Sequence, residues 1–109
     1  MSKLHPVTDA TFDSEVLKSA QPVLVEFSAT WCGPCKALAS TLEALEPEYK
    51  GRMKFVTVDI DNSQATAMKY RVMSVPTMIV FKGGEIAGQV AANRPRAEVV
   101  SFLDGALAR

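Results

Sequence analysis

The chain has 109 residues, of which 48% are hydrophobic and 22% are charged, and its 12 basic and 12 acidic side chains leave no net charge. This length and this balance predict one globular domain over residues 1–109 and exclude a disordered chain. A neutral chain has no overall field to hold a polyanion, so we expect no nucleic acid as its main partner. A single histidine argues against a histidine-based metal site and against a Ser/His/Asp triad.

The apolar runs are short and the N-terminal segment is charged. The longest unbroken run is Met78-Ile79-Val80-Phe81, whereas about 20 apolar residues are needed to cross a bilayer. Lys3, Asp9 and Asp13 leave no room for the apolar stretch of a signal peptide. We therefore expect no membrane segment and a soluble chain in the cytoplasm.

The first elements predicted are a short helix and a buried strand. Thr11 can cap the helix, whose apolar positions are Phe12, Val16 and Leu17. The strand follows Pro22 over residues 23–27. Because successive strand residues point to opposite faces and only Glu26 is polar, this pattern is typical of a central strand covered on both sides.

The next helix is predicted to begin near Pro34 and to end before Gly51. Its apolar positions recur at helical spacing: Leu38, Leu42, Leu45 and Tyr49. A second buried strand is predicted from Met53 to Ile60. Asn62 can cap a third helix, which runs to about Lys69.

The last third of the chain predicts a hairpin followed by a helix. Thr77 to Phe81 is a strand, Gly83-Gly84 is a turn signal, and Ile86 to Ala91 is predicted to return antiparallel. Pro95 starts the last helix. This order of strands and helices predicts an α/β fold, a three-layer sandwich in which helices cover both faces of a mixed sheet.

The chain has two cysteines, Cys32 and Cys35, between the first strand and the first turn of the long helix. A structural disulfide with so small a loop contributes only about 2 kcal/mol, against about 4.7 kcal/mol for a loop of 100 residues. A zinc or iron–sulfur site usually needs four ligands, so it requires two chains to share the metal. The pattern favours a redox dithiol, because a helix N-terminus stabilises a thiolate and Cys-x-x-Cys in a βαβ context is specific. Cys32 is then expected at the exposed end, with Cys35 pointing inward.

The segment FSATWCGPCK, residues 27–36, resembles the active-site segment of the thioredoxin family. Val75-Pro76-Thr77, residues 81–85 and Phe102-Leu103 resemble later landmarks of that family, so the resemblance covers essentially the whole chain. It implies the thioredoxin fold, with a central mixed five-stranded sheet and about four helices.

The resemblance also implies a protein-disulfide reductase whose redox disulfide is Cys32–Cys35. Cys32 attacks a disulfide of a client protein and Cys35 resolves the mixed disulfide. Electrons come from an NADPH-dependent thioredoxin reductase, and the chain itself is expected to carry no cofactor and no metal. Balanced charge and a small apolar docking surface predict a monomer. Two alternatives stay open: a disulfide oxidase or isomerase, which Gly33-Pro34 disfavours, and a binding module that uses the same fold.

Two residues near the dithiol allow opposite interpretations. Glu26 is either an exposed acid on an edge strand or a buried acid whose pKa is raised, able to shuttle a proton to and from Cys35. The family has an aspartate at this position. Trp31 is either a core aromatic or part of an apolar lip that contacts substrate.

The remaining site residues take their expected roles from the resemblance. Gly33 and Pro34 shape the first helical turn, and Lys36 is a solvated helix residue that adds local positive charge. Pro76 is implied to follow a cis peptide bond beside the dithiol. The backbone of Val75 is then expected to pair with an extended client segment.

Four positions depart from the family pattern. Ser28 replaces a usual tryptophan, which reduces the aromatic cover of the dithiol, and Ser40 replaces a proline, which predicts a straighter helix. Thr57 replaces a lysine, which removes a cation from the neighbourhood of Glu26 and predicts a raised pKa for its carboxyl group. Ala92 replaces a glycine, and its methyl group is expected to narrow the substrate groove.

Overall fold

In a computed structural model, which describes residues 3–109, a mixed five-stranded sheet forms the middle of the molecule. Its strands are β1 (His5–Pro6), β2 (Val23–Ser28), β3 (Lys54–Asp59), β4 (Thr77–Lys82) and β5 (Glu85–Ala91). They lie in the order β1-β3-β2-β4-β5. β1, β3 and β2 are parallel, whereas β4 runs antiparallel to both β2 and β5.

Helices cover both faces of this sheet. They are a π-helical turn (Asp13–Leu17), α1 (Gly33–Tyr49), α2 (Gln64–Lys69) and α3 (Arg96–Leu107). Apolar side chains of α1 and α3 form one core cluster with the sheet, and the π-helical turn and the residues after α2 pack on the opposite face. The α/β sandwich of three layers is therefore confirmed, and so are the five strands and four helices that the resemblance implied.

β2 occupies the centre of the sheet, between β3 and β4. Val23, Val25 and Phe27 face the cluster that contains the π-helical turn, whereas Leu24 faces the cluster beneath α1 and α3. Every residue from 23 to 27 is buried. The prediction of a strand covered on both faces is confirmed, and the carboxyl end of this buried strand leads directly to the cysteines.

β1 is the strand for which the residue pattern gave no prediction. It has two exposed residues, His5 and Pro6, which pair in parallel with Val56 and Thr57 of β3. Two residues are too few to show an alternating pattern, and proline is a poor indicator of a strand. Its pairing with β3 supplies the fifth strand.

Two predicted helix caps are wrong. The Thr11 hydroxyl accepts a hydrogen bond from the backbone N–H of Thr8 at 3.0 Å, and the π-helical turn begins only at Asp13, after Phe12. Thr11 therefore stabilises the turn that precedes the helix. Phe12 is the residue before the π-helical turn, and its side chain forms no capping hydrogen bond.

The cap of α2 also comes from a residue that the sequence prediction did not name. The residue before α2 is Ser63, and the side chain of Asn62 donates to Asp59 instead. The carboxylate of Asp9 accepts two hydrogen bonds from Thr66, one from its backbone N–H at 2.9 Å and one from its hydroxyl group at 2.6 Å. These bonds to Thr66 lower the pKa of Asp9.

The turn signals of glycine are confirmed at the end of α1 and in the hairpin. α1 runs without interruption from Gly33 to Tyr49, and Gly51 follows it with a φ of +86°. Gly83 and Gly84 have φ values of +61° and +82°, which fit a two-residue turn between β4 and β5. Within residues 3–109 no helix has both the length and the apolar character that a membrane span requires.

Candidate active site

The two cysteines meet at the N-terminus of α1. β2 ends at Ser28, and the chain turns over four residues before α1 begins at Gly33. Cys32 is the residue before the helix, and it forms a disulfide with Cys35, whose Cα lies 5.3 Å away. The backbone N–H of Cys35 donates to Sγ of Cys32 at 3.2 Å. Because the first N–H groups of a helix lack partners within the helix, this donor can stabilise negative charge on that sulfur.

Both sulfur-bearing residues are largely covered in the disulfide form. Cys32 is 5% exposed and Cys35 is 1% exposed. Ala29 packs with them, and Ile60 and Val75 complete the cluster. The inward position of Cys35 is as expected, whereas Cys32 is less exposed than its place at the helix end suggested, because these apolar neighbours surround it.

Glu26 is completely buried at the centre of β2. Its register partner on β3 is Thr57, whose hydroxyl donates to Oε1 at 3.4 Å. Oε2 has no hydrogen-bond partner among the described residues. The pKa of Glu26 is raised to about 7, mainly because burial disfavours the charged carboxylate. The Thr57 hydrogen bond opposes this shift, and the nearby charge of Glu43 adds to it. The edge-strand interpretation of Glu26 is therefore excluded.

The loop before β4 and the end of β5 also reach the dithiol. The Val75–Pro76 peptide bond is cis, as the resemblance implied, and Val75 packs against the cysteine cluster. The backbone N–H of Ala92 donates to the carbonyl oxygen of Pro76 at 2.8 Å. Three of the residues expected to bind substrate are thus linked to one another, with Val75 beside Cys32 and Pro76 buried.

Ala92 itself has an unusual backbone. Its φ of +71° lies in the left-handed region, which glycine adopts readily and other residues adopt at a cost. Glycine would adopt this backbone conformation more readily than alanine does, a point that the sequence prediction did not consider. Narrowing of the groove by the Ala92 methyl group stays a prediction.

Trp31 is not a core residue. It is 68% exposed, and its indole N–H donates to Oδ2 of Asp61 at 2.9 Å. This bond fixes one edge of the ring and leaves most of the side chain open to solvent beside Cys32. Asp61, which the sequence prediction did not single out, lies beyond β3 and is brought to Trp31 only by the fold.

Gly33, Pro34 and Lys36 are exposed in the first turns of α1. A Cβ atom on Gly33 has no heavy atom within 4 Å, so packing does not require glycine there. Pro34 lacks an N–H at a position where the helix has no acceptor for one, which suits proline. Lys36 is solvated, as expected.

A cavity of about 180 Å³ lies on the inner side of the dithiol, a feature that the sequence prediction missed. Cys35 and Thr57 both line it, and Thr57 is the residue whose hydroxyl group contacts Glu26. Ser28 is a third lining residue. The only signal in the sequence was the pair of small residues at positions 28 and 57.

Comparison with known proteins gives one consistent family. The family model described as Thioredoxin matches residues 3–105. A protein named Thioredoxin from Streptomyces clavuligerus is 47% identical over 89% of the chain and 90% of its own length. A protein of the same name from Staphylococcus aureus is 47% identical over 90% of the chain and 92% of its own length. Thioredoxin C-2 of Corynebacterium nephridii is 43% identical over 89% of the chain and 90% of its own length.

Proposed function

The chain belongs to the thioredoxin family and is a protein-disulfide reductase, and we propose that Cys32 is its nucleophile, Cys35 its resolving cysteine and Glu26 its proton shuttle. The observation that carries this assignment is the disulfide across the first turn of α1. In it, the backbone N–H of Cys35 points at the sulfur of Cys32.

In the first step, the thiolate of Cys32 attacks one sulfur of a client disulfide. A new S–S bond joins Cys32 to the client, and the other client sulfur leaves as a thiolate. The N-terminus of α1 supports this step because its free N–H groups stabilise the attacking thiolate.

In the second step, the thiol of Cys35 loses its proton and attacks the sulfur of Cys32. The bond to the client breaks, and the second client sulfur leaves as a thiolate that takes up a proton. Two electrons have then passed from the dithiol to the client, and the Cys32–Cys35 disulfide remains. Cys35 suits this role because it is buried beneath Cys32, where a bulky client cannot reach it.

Glu26 is the proposed acceptor of the Cys35 proton. Its carboxyl group is buried and its pKa is raised to about 7, so it gains and loses a proton close to neutral pH. The cavity that Cys35 and Thr57 share supports the assignment, because water in this space can carry a proton between the sulfur and the carboxyl group.

The client is proposed to dock on the surface formed by Trp31, Val75, Pro76 and Ala92. An exposed indole offers apolar contact area, and the backbone of Val75 can pair with an extended client segment. We also propose an NADPH-dependent thioredoxin reductase as the source of electrons. A monomeric protein in the cytoplasm fits this role, since thiols are kept reduced there.

The cysteine roles can be tested by trapping the mixed disulfide. The Cys35→Ser variant is expected to form a stable covalent adduct with insulin, used as the disulfide client, because nothing resolves the bond to Cys32. The Cys32→Ser variant is expected to form no adduct, and both variants should lose turnover. Mass spectrometry with and without dithiothreitol identifies the adduct.

The matched control is the double Cys32→Ser, Cys35→Ser variant, which has no thiol. A stable adduct on the Cys32→Ser variant and none on the Cys35→Ser variant would reverse the two roles. Sustained turnover by the double variant would show that the dithiol is incidental.

A further inference from the structure

The cavity behind the dithiol is open to a ligand that the disulfide exchange does not use. It has a volume of about 180 Å³ and lies between β2, β3 and α1. Cys35 and Ala39 line it from α1, and Ser28 and Thr57 line it from the two strands. An apolar cavity of about 150 Å³ is large enough to bind benzene, so this space can hold a molecule of one or two rings.

Two of the residues that line the cavity have small side chains. Ser28 and Thr57 occupy positions at which tryptophan and lysine are usual in the sequences that the chain resembles. Both residues line this one cavity. Larger side chains at these two positions would occupy part of the same volume.

The residues that line the cavity determine which kind of molecule can bind in it. Pro6, Val7, Ala29 and Ala39 provide apolar walls. Lys36 and Asp59 add one charge of each sign, so a charged molecule would lose its hydration without a net opposite charge to replace it.

Hydroxyl groups provide the polar contacts of the cavity. They belong to Thr8, Ser28, Thr30, Thr57 and Ser63, and the amide side chain of Asn62 also lines the cavity. Ser63 is 1% exposed, and its Oγ has no hydrogen-bond partner among residues 3–109. An unpartnered buried hydroxyl favours an occupant that has one hydrogen-bonding group in addition to its apolar surface.

We propose that this cavity binds a small neutral aromatic molecule, of one or two rings with a single hydrogen-bonding group, against Cys35 and Thr57. This occupant excludes water from the space between Cys35 and Thr57, whose hydroxyl group contacts Glu26. Its effect on catalysis rests on the proposed function: it slows the step in which Cys35 loses its proton and leaves the attack by Cys32 unchanged.

The binding test uses the oxidised, ¹⁵N-labelled full chain, titrated with indole and separately with phenol. The expected result is a saturable shift of the backbone amide signals of Ala39, Thr57 and Ser63. Molecules of this size are expected to bind with a Kd on the order of 1 mM. The Ser28→Trp variant fills the cavity and should weaken binding at least about tenfold, a loss equivalent to about 1.4 kcal/mol.

The matched control is Ser101→Trp, which adds the same side chain at an exposed position of α3 that does not line the cavity. It should bind both probes as the original chain does. Thr57→Lys fills the same space from β3 and serves as the second cavity variant if Ser28→Trp does not fold. Absence of saturable shifts at the three residues, or equal binding by a folded cavity variant, overturns the proposed site.

The effect on catalysis is measured separately, by single-turnover reduction of insulin with and without indole. Slower client release with an unchanged rate of mixed-disulfide formation supports the proposed effect, whereas equal release rates overturn it. Because the titration uses oxidised protein and needs no turnover, a failure of the assigned cysteine roles leaves the binding result intact.

Discussion

Glu26 shows at the scale of one residue how burial decides the chemistry. Its carboxyl group lies in the middle strand of the sheet, and among residues 3–109 its one side-chain hydrogen-bond partner is the hydroxyl of Thr57, at 3.4 Å. A neutral hydroxyl stabilises a carboxylate less than a cation does, so loss of hydration dominates and raises the pKa of Glu26 to about 7. A group with this pKa can accept and return a proton at neutral pH.

The raised pKa of Glu26 predicts that the chain loses stability as pH rises. Below the ordinary carboxyl pKa of 4.5, the folded and unfolded chains both hold the proton, and Glu26 has no pH-dependent cost. Between pH 4.5 and about 7, the unfolded chain releases the proton while the folded chain keeps it, so the free energy of unfolding falls. Above pH 7 the full cost, about 3 kcal/mol, is present.

Urea unfolding of the oxidised protein at pH 5 and pH 8 measures this cost. Relative to Glu26→Gln, which cannot ionise, the original chain should lose about 2–3 kcal/mol between the two pH values. Glu85→Gln, at an exposed position, is the control and should leave the pH profile unchanged. Parallel profiles for the original chain and Glu26→Gln would contradict the raised pKa.

At the scale of the element, the β4–β5 hairpin depends on two glycines that differ in their surroundings. Both have positive φ, which costs other residues about 1–2 kcal/mol. A Cβ atom on Gly83 meets no heavy atom within 4 Å, whereas one on Gly84 lies 3.1 Å from the backbone oxygen of Leu17. Only Gly84 is therefore restricted by packing against the π-helical turn as well as by its dihedral angle.

This difference predicts unequal effects of the same substitution. Gly83→Ala should lower the free energy of unfolding by about 1–2 kcal/mol, because only the backbone is strained. Gly84→Ala should cost about 1 kcal/mol more, because the backbone oxygen that it meets cannot move without shifting the turn. Urea unfolding of both variants at one pH compares them, and equal losses would show that the contact with Leu17 is relaxed without cost.

The elements that the sequence predicted are those with long apolar patterns or clear breaking residues. The predicted bounds of β2 and α1 lie within a residue or two of the observed ones, because apolar spacing and Gly51 are local signals. The cap of α2 was missed because it belongs to Asp9, which lies 56 or more positions before the N–H groups that it accepts. No local pattern contains such a bond.

The functional site likewise contains residues that local sequence could predict and contacts that only the fold reveals. Cys32 and Cys35 could be predicted because their spacing and their place before a helix are local. The contacts among Val75, Pro76 and Ala92 needed the resemblance or the structure, since they join separate strands. The cavity was out of reach, because its volume depends on side chains from several elements at once.

At the scale of the whole molecule, the sheet brings these parts to one place. β2 and β3, parallel neighbours, hold Glu26 beside Thr57, and the end of β2 leads to the cysteines. β4 and β5 run antiparallel beyond β2 and bring Pro76 and Ala92 to the same region. The dithiol, the buried acid and the proposed docking surface therefore depend on one sheet, with helices on both of its faces.

The reduction potential of the Cys32/Cys35 pair tests most directly whether this assembly donates electrons to client disulfides. It can be measured by equilibration against glutathione, with the single tryptophan, Trp31, next to Cys32 as a fluorescent reporter. We predict a value near −270 mV, which is the known reduction potential of thioredoxin. A value near about −180 mV would favour the dithiol form by roughly 4 kcal/mol more and would contradict a reductase, since such a pair is suited to forming or reshuffling disulfides.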